Sequence, residues 1–272
     1  MTKAFWTSGA WAVLASALML AWVAYQNRTE DQIAGAAPFR AVDGLDATPE
    51  QRAAIEDLLV EAYAVLRSSE FEENLSALDG AYPQVYARPD EQSLPPSEVA
   101  KIVSLKKLGV RYGRSEVLLV SEEARSEGWA ARAGPVGESG RYAAIELSRG
   151  VLEDYRSSDV VERSCAINVA AHEYAHTISL TPVVFTMAFR DTRGDGRIAN
   201  RRYPGTPVAS YLIGSVAQCT WLQKVGRVAR TEIPGCVQVF GVAAFNASRC
   251  WSFRGGERVT PRRGLPAARR PL

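Results

Sequence analysis

Histidine is the rarest residue in this chain, with two copies in 272 residues. There are four cysteines and no CxxC pair, which argues against a structural zinc finger and a thioredoxin-type redox motif. Charge of one sign is also lacking. Lys and Arg number 32 against 30 Asp and Glu, and a net charge of +2 argues against a nucleic-acid partner. Hydrophobic residues make up 47% and charged residues 23%, an ordinary globular composition. The length suits one large domain or two small ones.

One long uncharged run is present. Ala4–Tyr25, "AFWTSGAWAVLASALMLAWVAY", matches a hydrocarbon core of roughly 30 Å. Trp6, Trp11, Trp22 and Tyr25 suit the aromatic belts of a bilayer. Lys3 precedes the run, and Arg28, Glu30 and Asp31 come after it. That weak bias places the N-terminus inside and the rest of the chain outside. A cleaved signal peptide is the rival reading. Trp22 spoils a cut after Ala24, and Ala34-Gly35-Ala36 comes late, so a retained single-pass anchor is favoured. Either way the domain is extracytoplasmic. Cys165, Cys219, Cys236 and Cys250 fit that compartment and permit two disulfides in three pairings. The far end, from Arg254, has six arginines, three prolines and three glycines, and reads as a solvated, disordered tail.

Between these ends, residues 26–47 read as a linker and residues 48–253 as the folded domain. Thr48, Pro49 and Gln51 form a helix start with a capping box. Ile55, Leu58, Leu59, Ala62 and Leu66 then recur at helical spacing. A short helix is expected over Glu70–Leu78. Residues 79–96, with four prolines, read as a long loop. Another short helix is expected over Glu98–Leu105. Ser115–Ser121 and Arg141–Ser148 read as strands, the second with alternating Ala143, Ile145 and Leu147. A long helix is expected over Ser157–Ser179, ended by Thr181-Pro182. Val183–Phe189 is a candidate strand, residues 190–205 a Gly-rich polar loop, and Val208–Gln223 a buried helix. The expected fold class is α+β, with a small mixed sheet packed on the long helix.

That helix holds both histidines, in "AINVAAHEYAHTISL". His172 and His176 are four apart, and Glu173 is next to the first. Positions i and i+4 of a helix share a face, about 5–6 Å apart at Cβ, so two imidazoles can converge on one metal ion. Glu173 lies about 100° further round, where it can act on a metal-bound water instead of binding the metal. Zinc lowers the pKa of such a water and an adjacent carboxylate takes its proton. Random placement would give this H-E-x-x-H pattern about once in 2,000 chains of this composition, which favours a metal site over a pair of packed core histidines.

The His172-Glu173-x-x-His176 motif, with a strand before its helix, resembles the zincin metallopeptidases over roughly residues 110–225. The resemblance implies a zincin-like fold, bound Zn2+ and hydrolysis of a peptide or protein substrate, with Glu173 catalytic. It also implies a substrate-binding edge strand before the motif helix, and Tyr142–Ser148 occupies that place in the sequence. A catalytic zinc needs a third protein ligand. No third histidine exists and residue 179 is Ser179, so the metzincin pattern is excluded. No glutamate lies between Glu173 and Glu232, and neither Glu232 nor Glu257 suits the gluzincin pattern. Asp191 resembles the aspzincin arrangement, although the Gly-Thr-x-Asp signature is absent. Asp191 is the favoured third ligand, with Cys219 and Asp195 as alternatives. Tyr203 and Tyr211 are candidate oxyanion donors, with packing as their commoner role. The rival function is an inactive zincin-like module that binds a partner at the membrane. A hydrolase of another amide, such as a cell-wall crosslink, is a third.

Overall fold

A computed structural model describes residues 39–41, 48–88, 92–104, 111–112, 114–120, 131–136, 142–180, 186–191 and 207–240. The chain divides into two compact units, residues 1–40 and 41–272. A short strand, β1 (Phe39–Ala41), lies at their boundary. All other described elements belong to the second unit. The apolar run at 4–25, the arginine-rich tail, Asp195 and Tyr203 lie outside the described residues. Among those described, no helix is long and apolar enough to cross a membrane.

Helix α1 (Pro49–Leu66) starts as its sequence demands. Thr48 Oγ1 accepts from the Gln51 amide at 3.2 Å, and Gln51 Oε1 accepts from the Thr48 amide at 2.8 Å. Its apolar stripe, Ile55, Leu58, Leu59, Ala62 and Leu66, is buried. Helix α2 (Ser69–Ser76) comes next, capped by Ser68. The proline-rich stretch expected as a loop contains a hairpin instead, β2 (Val85–Arg88) against β3 (Gln92–Leu94). Prolines flank these strands and leave their interiors free to pair. Helix α3 (Pro96–Val103) begins two residues earlier than expected, with Pro96 at the position where a missing amide proton matters least.

The mixed sheet is built on β7 (Tyr142–Ser148). One neighbour, β5 (Arg114–Val120), runs parallel to it and the other, β6 (Ala131–Val136), antiparallel. Val117 and Ala133 both pair with Ile145. The expectation that Tyr142–Ser148 is a sheet edge is therefore corrected, because both its sides are paired. Among the described strands β6 is an edge, and Pro135 within it is a residue that edge strands tolerate and central ones do not. Alternation does hold along β7, where Ile145 and Leu147 are buried and Glu146 between them is half-exposed.

Helix α4 (Arg149–Arg156) continues directly from β7 and leads to α5 (Val160–His176). Asp159 caps α5 by accepting from the amides of Val161 and Glu162, so the helix starts three residues later than expected. Every residue of α5 from Ser164 to His176 is buried. Around it pack α1, α4, α6 (Ala209–Lys224) and strands β6 and β7. Glu61 ties four of these helices together. Its carboxylate accepts from Trp221 Nε1 at 2.7 Å, Tyr155 Oη at 2.9 Å and an Arg163 guanidinium nitrogen at 3.2 Å. Burial and the Glu61 charge together push the Tyr155 hydroxyl up to about 12.

After α6 come a 3-10 turn (Arg230–Glu232) and α7 (Ile233–Phe240). A disulfide joins Cys219 on α6 to Cys236 on α7. Cys165 is also disulfide-bonded. The fold class is α+β, helix-rich with a small sheet.

Candidate metal centre

Two facing helices, α5 and α6, form the base of the site. His172 and His176 continue a stripe on α5 that begins with Ser164 and Asn168, at four-residue spacing. The facing stripe on α6 is Gln218, Gly214 and Ser210, running the opposite way. Asn168 Nδ2 donates to Gln218 Oε1 at 2.7 Å, and Gln218 Nε2 donates to Ser164 Oγ at 2.8 Å. One turn on, Gly214 lets the helices touch. A Cβ there would lie 2.6 Å from Asn168 Oδ1, 2.8 Å from the Asn168 carbonyl oxygen and 3.3 Å from His172 Cβ. The Tyr211 ring packs on His172 with centroids 4.4 Å apart.

The chain then turns back on the histidines. Thr177 ends α5, and β8 (Ile178–Ser179) pairs antiparallel with β4 (Arg111–Tyr112). Leu180 donates its amide to Thr186 O, and Ala188 to Ile178 O, both at 2.8 Å. This antiparallel return brings Phe189 and Asp191 back beside α5. Of the expected strand at 183–189, the described residues form only an isolated antiparallel bridge, Met187 with Ser179, and residues 183–185 are not described. Strand β2 anchors the return, since the Arg190 amide donates to Ala87 O at 2.8 Å. The same strand anchors the start of α6, with the Tyr86 amide donating to Pro207 O at 2.9 Å.

The resulting cluster is tight. His172 Nε2 lies 3.0 Å from Asp191 Oδ2, His176 Nε2 lies 3.2 Å from the same oxygen, and the two Nε2 atoms are 3.2 Å apart. His176 Nδ1 donates to Phe189 O at 2.9 Å, which leaves Nε2 as the lone-pair atom of the neutral ring. Each imidazole nitrogen has one in-plane lone pair or one N–H, so three atoms in mutual contact do not make a normal set of hydrogen bonds. They match one face of a metal tetrahedron. Bonds of 2.0–2.1 Å at tetrahedral angles put ligand atoms about 3.3 Å apart.

Glu173 stands beside this face. Its Oε1 is 3.9 Å from His172 Nε2, and its Oε2 is buried with no hydrogen-bond partner. His172, Glu173 and His176 together can hold a metal ion, their candidate ligand atoms lying within 4.8 Å of one another. Asp191 comes closer to both histidines than Glu173 does, so it is a candidate third donor and Glu173 is set back. Cys219, the alternative donor, is excluded because its sulfur is bound to Cys236. Glu232 lies in the 3-10 turn and accepts from the Ala229 amide at 2.8 Å.

The electrostatics reflect the packing. Burial pushes the Glu173 carboxyl up, and the nearby histidines offset this only in part. Burial opposes charge on His176, but the Asp191 carboxylate outweighs it, together with Glu173 and Phe189 O, and raises the imidazole to about 9. Burial likewise opposes charge on Asp191, yet His172 and His176 hold it well below the usual carboxylate range. The Tyr211 hydroxyl is pushed up by burial first, then by the charges of Asp191 and Glu173.

Sequence reasoning missed Ser210, whose hydroxyl donates to Asp191 Oδ1. A serine in the first turn of a helix carries no signal of a partner 19 residues back in the sequence. Comparison of the chain with protein-family models, with curated proteins and with solved structures gives no match.

Proposed function

We propose that the protein is a zinc metallopeptidase of zincin type, held at the membrane by its N-terminal segment with the domain on the extracytoplasmic side. The observation that carries this reading is the convergence of His172 Nε2, His176 Nε2 and Asp191 Oδ2 at 3.0–3.2 Å, with Glu173 beside them. His172, His176 and Asp191 hold the metal. When bound, zinc supplies Lewis acidity that polarises a carbonyl and lowers the pKa of water.

The chain's own residues do the rest. Glu173 takes a proton from the attacking water and passes it to the leaving amine, a task that suits a carboxyl raised by burial. The uncommitted Oε2 of Glu173 is the atom for that proton. The place of β6 at an edge of the described strands, beside α5, supports alignment of an extended peptide by backbone pairing. The Cys219–Cys236 disulfide and the bonded Cys165 support an oxidising compartment. The inactive-module reading drew its strength from a missing third ligand, and the place of Asp191 weakens it.

Elemental analysis of the full-length protein in detergent tests the reading, with a peptide-library digest alongside. About one zinc per chain, lost in His172→Ala and Asp191→Ala, with cleavage lost in Glu173→Gln, is the expected result. A folded protein that binds no metal overturns it. Metal binding without any cleavage returns the inactive module.

A further inference from the structure

We infer that Ser210 is a positioning residue that holds Asp191 in a one-oxygen binding mode and so fixes the coordination number of the metal. The inference rests on the metal-site reading above. Asp191 divides its two oxygens between two tasks. Oδ2 faces His172 and His176, while Oδ1 accepts the Ser210 hydroxyl hydrogen bond. A carboxylate with both oxygens free can close on a metal with two bonds, which raises coordination and fills the position a substrate needs. One whose second oxygen is engaged offers a single bond.

The geometry behind this is built in. Ser210 is fully buried in the first turn of α6. Strand β2 grips both partners from behind, through Ala87 to Arg190 and through Tyr86 to Pro207. Asp191 and Ser210 are thus each within three residues of a hydrogen bond to one short strand. The Gly214 contact then fixes α6 against His172.

The test is cobalt substitution and zinc competition on the full-length protein, comparing the parent with Ser210→Ala, Ser210→Thr and Asp191→Ala. Cobalt(II) absorbs strongly in tetrahedral sites and weakly in five- or six-coordinate ones, so its visible spectrum reads coordination directly. The parent is expected to give the intense spectrum. Ser210→Ala should weaken zinc binding about 10–100-fold, the usual loss for such a partner, and shift cobalt to the weak spectrum. Ser210→Thr keeps the hydroxyl and should restore both. Circular dichroism and a thermal melt establish that each variant is folded. If the parent and Ser210→Ala share affinity and spectrum while Asp191→Ala loses metal, the role of Ser210 is refuted and the metal site stands. If the parent binds neither ion, both readings fall.

Discussion

Gly214→Ala is the substitution that best tests how the centre is assembled. A helix normally gains about 1 kcal/mol when glycine becomes alanine. At position 214 the new methyl meets Asn168, with the backbone oxygen at 2.8 Å and Oδ1 at 2.6 Å. Ordinary contact begins at 3.4 Å, so α5 and α6 must part by about 0.6 Å there, because a carbonyl in a helix cannot swing aside. Such overpacking costs about 1–3 kcal/mol, leaving a net loss of up to about 2 kcal/mol. At about 2–4 °C per kcal/mol for a domain of this size, the melting temperature should fall by up to about 8 °C. His172 Cβ, 3.3 Å from the new methyl, moves with Asn168. Zinc affinity should therefore drop as well. Thermal melts with and without zinc, and competition with a chelator, read both effects. A variant more stable than the parent by about 1 kcal/mol would mean that propensity alone acts at 214 and that the two helices do not meet there.

Further outcomes are expected. Glu173→Gln should retain about one zinc per chain by elemental analysis but lose peptidase turnover, since the amide cannot accept the proton; full activity would refute Glu173 as the base. The raised His176 pKa of about 9 adds stability to the metal-free protein that is complete below its ordinary 6.5 and is lost as pH rises through 9. Zinc must displace that proton, so apparent zinc affinity should fall about tenfold per pH unit from pH 9 down to 7. Chelator competition across that range checks the slope, and a flat profile removes His176 from the ligand set. Removing the Cys219–Cys236 link, which closes 17 residues, should cost about 3 kcal/mol by loop entropy. Denaturant titration of the double alanine variant measures it, and an unchanged midpoint would show that the link adds nothing to the stability of the domain.

Local chemistry was legible in the sequence and long-range chemistry was not. The capping box of Thr48 and Gln51 announced α1, and the H-E-x-x-H spacing announced the histidine face of α5, because both depend on neighbours within one turn. Strand β7 was readable as a strand from its alternation, but its place inside the sheet depends on pairing with β5 and β6, which alternation does not specify. The β2–β3 hairpin was obscured because prolines at its margins look the same as prolines in a loop. Among three disulfide pairings nothing local singled out Cys219 with Cys236. Asp191 was a candidate because it comes soon after the motif helix. What seats it is the antiparallel return from Ile178 to Ala188 and its anchor on Ala87, neither of which has a local signature.

The hydroxyl and amide groups of Ser164, Asn168 and Gln218 carry a different kind of information from the apolar residues around them. Leucines and valines tolerate a sliding of one helix along another, whereas this chain of donors and acceptors closes at one setting only. A slip of one turn is about 5.4 Å, more than the whole width of the histidine cluster. The three residues therefore act as a key that indexes α6 on α5, about 12 Å from the Ser210 end that depends on it. Apolar replacements of matching volume at all three would leave a domain at least as resistant to denaturant, because a satisfied polar set and a packed apolar one differ little in free energy. Such a domain would be well folded and yet would no longer know where to place its metal, so resistance to unfolding and possession of a site are separately encoded along the same pair of helices.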